Sequence, residues 1–146
     1  KLWAAVGAAF TITGHRAAAA RGMASDVIAS ATANLIGKRV FGGTRPPLSR
    51  VPLGRQLEQS PTSATFPSGY TASAFAFAVG ASITNRRLAV VLVPLAVAVA
   101  YSRLHTGAHW LSDVVGGALL GTSAAALDAA LHHGRRNRGR SAGARR

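Results

Sequence analysis

A chain of 146 residues with a formal net charge of +13 and no cysteine is long enough for one domain and excludes disulfides and thiolate metal sites. Only 14% of its residues are charged while 49% are hydrophobic, against roughly 25% charged in soluble domains, which points to a lipid environment. The charge does not make a nucleic-acid reader, because Arg135, Arg136, Arg138, Arg140, Arg145 and Arg146 crowd the C-terminal end without a recognition motif, in the manner of a membrane-surface tail.

In chain order, residues 2–14 are uncharged and Ala-rich and fit the end of a membrane helix; 16–21 form a short basic break. A second helix is expected over 22–37, with Val27, Ile28, Leu35 and Ile36 apolar and Asp26 inside it. Gly42-Gly43, Pro46-Pro47, Pro52 and Pro61 make 42–66 a long loop, with room for a short helix near 53–59. A third helix is expected over 68–84, closed by Asn85-Arg86-Arg87, and a fourth over 88–101, aliphatic all round with Pro94 inside. A turn at 102–108 leads to a fifth helix over 109–132, where Gly117 and Gly121, four apart, would admit a close neighbour.

The expected fold class is therefore all-α: a membrane helical bundle of about five helices with a long loop on the side of the site. Apart from 59–85, which includes loop, the charge-free runs are shorter than the about 20 residues of a full span, and flanking Tyr, Trp and Arg extend them by anchoring and snorkelling. Residues 1–133 make up this domain, and 134–146 are expected as a basic disordered tail. A start at Lys1 rather than Met makes an N-terminally incomplete domain the expectation.

Three fragments carry chemistry. They are Lys38 with Arg45-Pro46, Pro67-Ser68-Gly69, and Ser102-Arg103 with His109 and Asp113. His109 and Asp113, four apart, share a helical face, so the carboxylate can fix the imidazole tautomer and leave the other ring nitrogen free to attack phosphorus. Lys38, Arg45 and Arg103 would each serve alone as an interface anchor; together they suit the oxygens of a transferring phosphoryl group. Ser68 and Gly69 open a helix, where free amides and the dipole favour an anion and Ser68 can also cap.

The fragments KRVFGGTRP, PSGY and SRLHTGAHWLSD resemble the three motifs K-x6-RP, PSGH and SR-x5-H-x3-D of the type 2 phosphatidic acid phosphatase (PAP2) or lipid phosphate phosphatase superfamily, and the resemblance spans residues 38 to 113. It implies a membrane lipid phosphatase that hydrolyses a phosphatidate-like monoester or a polyprenyl (di)phosphate through a phosphohistidine on His109, with neither metal nor cofactor. It implies phosphate contacts from Lys38, Arg45, Ser68, Gly69 and Arg103. The chain departs from the pattern at one place: Tyr70 stands where the family has the His that protonates the leaving oxygen. A phenol, with a pKa of about 10, suits that role poorly at neutral pH. Three accounts stay open: Tyr70 is a weaker acid, His105 substitutes, or the chain is a catalytically weakened lipid-phosphate binder. The vanadium haloperoxidases share the anion pocket but are larger, soluble proteins.

Outside the motifs, Asp26 is expected to be structural and paired with Arg16, Arg21 or a polar group on another helix, and Asp128, near a helix end, to be paired or interfacial. Trp110 is expected as an interface anchor, and His132 and His133 as tail residues rather than ligands. If the fragments meet on one membrane face, Arg16, Arg21, Arg86, Arg87 and the tail fall on the other. The positive-inside rule then makes that other face cytoplasmic and turns the site away from the cytoplasm.

Overall fold

The structure, a computed structural model, describes residues 2–47, 49, 51–58 and 62–143, with the backbone alone for 135–143. The described residues form an all-α, five-helix fold without strands. Helix α1 is Leu2–Ile12 and α2 begins as Arg16–Ala31, runs through a π-helical turn at Thr32–Gly37 and ends in the short turn Lys38–Val40. Helix α3 is Gly69–Thr84, α4 is Ala89–His105 and α5 is Leu111–Gly143.

Four expected boundaries shift, the first at the turn expected over 102–108: α4 runs on to His105 and α5 begins only at Leu111, so His109 stands in the turn before the helix rather than on a helical face shared with Asp113. The basic stretch 16–21 does not break the chain but opens α2, because Ala17 to Ala20 are strong helix formers and Arg21 finds a carboxylate: its guanidinium reaches Asp128 on α5 at 3.0 Å. The short helix near 53–59 contracts to a single 3₁₀ turn, Leu53–Arg55. At the C-terminal end the backbone stays helical through Gly143, where the sequence suggests a tail from 134; residues 144–146 lie outside the described residues.

Helix α3 stands at the centre, packed against α2, α5 and α4, with α1 laid on α2. Small residues allow the approach. A side chain at Gly121 would begin 2.2 Å from the carbonyl oxygen of Ala72, and one at Gly117 would begin 2.6 Å from that of Ser68. Gly22 and Gly80 do the same between α2 and α3, facing the Phe77 ring and Ser25. Phe77 is fully buried and stacks on Trp3 at 5.0 Å between ring centroids.

Much of the interior is alanine: Ala29, Ala33, Ala72, Ala76 and Ala125 are fully enclosed, whereas Val90, Val91, Leu119 and Leu127 are exposed. Small residues inside and large aliphatic ones outside is the arrangement of helices that meet lipid rather than water. Two segments, Arg86–His105 and Leu111–Gly134, are long and apolar enough to cross a membrane, and only 17% and 33% of their apolar windows are buried in the protein. A soluble core helix of that composition would be mostly enclosed. These two segments support an integral-membrane location.

Candidate phosphate site

The end of α2, the start of α3 and the connection between α4 and α5 converge at one end of the bundle, with the loop after α2 folded over them. That loop is tied at its base by two backbone bonds, from the Thr65 and Phe66 amides to the Gly43 and Gly42 carbonyls at 3.3 and 3.1 Å. Gly42 and Gly43 carry φ of 63° and 106°, which L side chains resist, so the reversal there needs glycine. On the other side, the amides of Ala108 and His109 bond back to the Arg103 carbonyl at 3.1 and 3.3 Å and close the α4–α5 turn.

His109 and Asp113 form the buried centre. The Asp113 Oδ2 accepts from the Thr65 hydroxyl at 2.5 Å and from the Trp110 amide at 2.8 Å, and lies 3.4 Å from His109 Nδ1. The same Thr65 oxygen lies 3.3 Å from Nδ1. Because the Thr65 hydrogen is committed to Asp113, its oxygen acts as an acceptor toward the imidazole. The arrangement therefore favours the Nδ1–H tautomer and leaves the Nε2 lone pair unused. Burial, then the nearby Arg45, push the His109 pKa below its ordinary value; Asp113 works in the opposite direction. That shift favours the neutral form of the ring.

In front of His109 is a cavity of about 380 Å³, also lined by Lys38, Arg45, Gly69 and Tyr70. Lys38 Nζ donates to the Ser63 hydroxyl at 3.0 Å, and Arg45 donates to the Ala108 and Ser63 carbonyls at 2.5 and 3.1 Å. Neither cation has a carboxylate partner among the described residues. Burial, with the neighbouring Arg45 charge, lowers the Lys38 pKa; burial also lowers that of Arg45, against the pull of Asp113. Two crowded, partly desolvated cations that form no ion pair among the described residues make a cavity that attracts an anion.

The start of α3 adds backbone donors. Ser68 is fully buried and occupies the N-cap position, but its hydroxyl makes no capping bond and instead receives the Thr71 hydroxyl at 3.0 Å. Its amide donates to the Asp113 carbonyl at 2.9 Å, which locks α3 to α5 at the site. The first donor within α3 is the Ala72 amide, bonded to the Ser68 carbonyl at 2.9 Å, so the amides of Gly69, Tyr70 and Thr71 precede the intrahelical ladder.

Two sequence candidates lie apart from this centre. Arg103 stands at the rim, with its guanidinium carbon 4.8 Å from the centroid of the exposed Tyr70 ring and its Nε bonded to the Ser102 hydroxyl at 3.1 Å. His105 is exposed on the last turn of α4, packed on Tyr101 at 5.7 Å, and is not among the residues that line the cavity. Sequence spacing missed Ser63, which holds both Lys38 and Arg45, and Thr65, which bridges His109 and Asp113. Both come from an irregular loop whose return path no periodic pattern records.

The sequence profile of the PAP2 superfamily matches residues 17–137, most of the chain. The chain belongs to the PAP2 superfamily. It is also 39% identical over 67 residues to an undecaprenyl-diphosphatase of Sulfolobus acidocaldarius, a match covering 45% of this chain and 32% of that protein. The chain thus spans about a third of the length of this curated relative. No solved structure matches it. The exposed aliphatic helices agree with membership of this superfamily.

Proposed function

We propose that this PAP2 chain is a membrane phosphatase that hydrolyses a lipid phosphate monoester, phosphatidate-like, or a polyprenyl (di)phosphate, through a phosphohistidine on His109. The observation that carries this reading is the cavity in which a neutral, carboxylate-backed imidazole faces two cations that no carboxylate among the described residues neutralises.

In the proposed reaction Lys38, Arg45 and the amides at the start of α3 hold the non-bridging oxygens, with Arg103 joining from the rim. The Nε2 lone pair of His109 forms the P–N bond while the bond from phosphorus to the lipid oxygen breaks. Asp113 offsets the positive charge that grows on the ring, and the departing lipid oxygen takes a proton from the Tyr70 phenol or from a water molecule, a proton that the attacking water of the second step returns. Water then attacks phosphorus, the P–N bond breaks, and inorganic phosphate leaves with the imidazole restored.

Tyr70 is the cavity-lining group in the position of the proton donor, and the described lining contains no carboxylic acid and no second imidazole. That observation favours a second reading, a catalytically weakened lipid-phosphate binder. Orientation follows from charge. Arg16, Arg86 and Arg87 belong to the helix ends opposite the one that carries His109, and the positive-inside rule supports a site turned to the extracytoplasmic face of the cytoplasmic membrane.

The test is phosphate release from a panel of lipid phosphates in detergent micelles with a chelator present. The phosphatase reading expects release that His109→Ala abolishes and Tyr70→His raises. Binding of the same lipids without release in either the wild type or Tyr70→His would favour the binder.

A further inference from the structure

The cavity continues from the cations down the seam between α2 and α3, and its lower wall is polar although it lies at a depth where a hydrocarbon tail would be expected. Ser30 and Asn34 line it from α2 and Ser73 lines it from α3. Behind them Asp26 accepts on one oxygen, Oδ1, from both Ser30, at 3.1 Å, and Ser73, which makes a short bond. Both hydroxyl hydrogens are therefore spent on the carboxylate, and the two serines can offer only oxygen lone pairs to a ligand. The Asn34 amide nitrogen is bonded to the Ser30 carbonyl at 2.9 Å. Its Oδ1 lies toward Gly69, 3.5 Å from where a side chain there would begin. The two serines thus present acceptors with a carboxylate behind them, and Asn34 adds its Oδ1 beside one remaining N–H.

We propose that this wall is a specificity subsite that selects lipid phosphates bearing a free hydroxyl or ammonium donor close to the phosphate. This rests on the phosphatase reading above and narrows its substrate class. One helical turn, about 6 Å, separates Gly69 from Ser73 and Lys38 from Asn34. A phosphate held at the level of Gly69 and Lys38 therefore puts the second or third carbon of its alcohol beside the acceptors. A hydroxyl or ammonium there finds partners. An ester carbonyl at the level of Ser30 and Ser73 meets oxygen lone pairs, a second phosphate meets the Asp26 charge, and an isoprenoid chain leaves the serine acceptors unsatisfied, each unfavourable.

The experiment compares lipid phosphates of matched chain length in mixed micelles, reading both phosphate release and binding. A monoacylglycerol phosphate and a long-chain amino-alcohol phosphate carry the donor; a diacylglycerol phosphate and a polyprenyl phosphate do not. The expected result is a preference of roughly fivefold to tenfold per donor, in kcat/KM or in affinity. Ser73→Ala, which keeps the helix, is expected to shrink that preference, and Asp26→Asn to shrink it further. Equal use of both groups, or a preference that neither variant changes, overturns the proposal. If no lipid phosphate releases phosphate while the donor preference persists in binding, the subsite stands and the hydrolytic reading falls.

Discussion

Asp113 gathers three groups on one oxygen, and Asp113→Asn separates its charge from its shape. An asparagine oxygen can still accept from Thr65 and the Trp110 amide, so the hydrogen-bond frame of the turn survives. What disappears is the negative charge beside the ring. At the 3.4 Å separation found here, with an effective dielectric of about 20, a full unit charge pair is worth about 5 kcal/mol. The ring acquires only part of its charge at the transition state, which brings the expected loss in kcat to about 10² to 10³. KM should stay within about threefold, because Lys38, Arg45 and the α3 amides bind the phosphate independently of Asp113. The assay is steady-state phosphate release from the best lipid substrate, with thermal unfolding in detergent as the control for folding. A folded Asp113→Asn protein with kcat within about threefold of wild type would refute the assignment of Asp113 to the charge on His109.

Further outcomes follow from the same geometry. If proton donation limits turnover, Tyr70→His should accelerate release, by up to about 10² to 10⁴; Tyr70→Phe keeps the ring under Arg103 and separates the phenol hydrogen from the stacking contact. Because the His109 pKa is depressed, the neutral nucleophile persists below pH 6.5 and is lost only as pH falls through that lowered value, so the acid limb of kcat/KM should lie below 6.5. Arg45→Gln removes a charge that holds this pKa down and should move the limb upward, and a downward shift would contradict the electrostatic account. Gly121→Ala places a methyl 2.2 Å from a backbone oxygen of α3 and should destabilise the fold by about 1 to 3 kcal/mol, read as a lower unfolding temperature in detergent.

Much of the architecture was legible in the sequence because apolar helices announce themselves by what they lack. The start of α3 at Gly69, its end at Thr84 and the apolar α4 fall close to where Ser68, Asn85-Arg86-Arg87 and the aliphatic run placed them. Gly117 and Gly121 admit α3 as their spacing suggested. The basic run at 16–21 misled because charge alone does not stop a helix when one arginine has a buried partner, here Asp128. Asp26 was expected to pair with an arginine or with a polar group on another helix; it takes the second option, bonded to Ser73 on α3.

The candidate site was legible to the extent that it rests on fixed spacing. Lys38, Arg45, Gly69 and His109 face one cavity with Asp113 directly behind. Thr65 and Ser63 escaped because a loop residue is brought to the site by tertiary folding, which leaves no period to read. His105 drew attention by its nearness to His109 along the chain, yet the last turn of α4 carries it outward onto Tyr101.

The most direct measurement is a rapid acid-free quench of the protein during turnover of a lipid phosphate labelled on phosphorus, followed by mapping of the label. The account predicts an acid-labile, base-stable phosphoryl group on His109 that forms before phosphate is released and is absent from His109→Ala. Release that continues undiminished in His109→Ala, or label carried by a different residue, would contradict it.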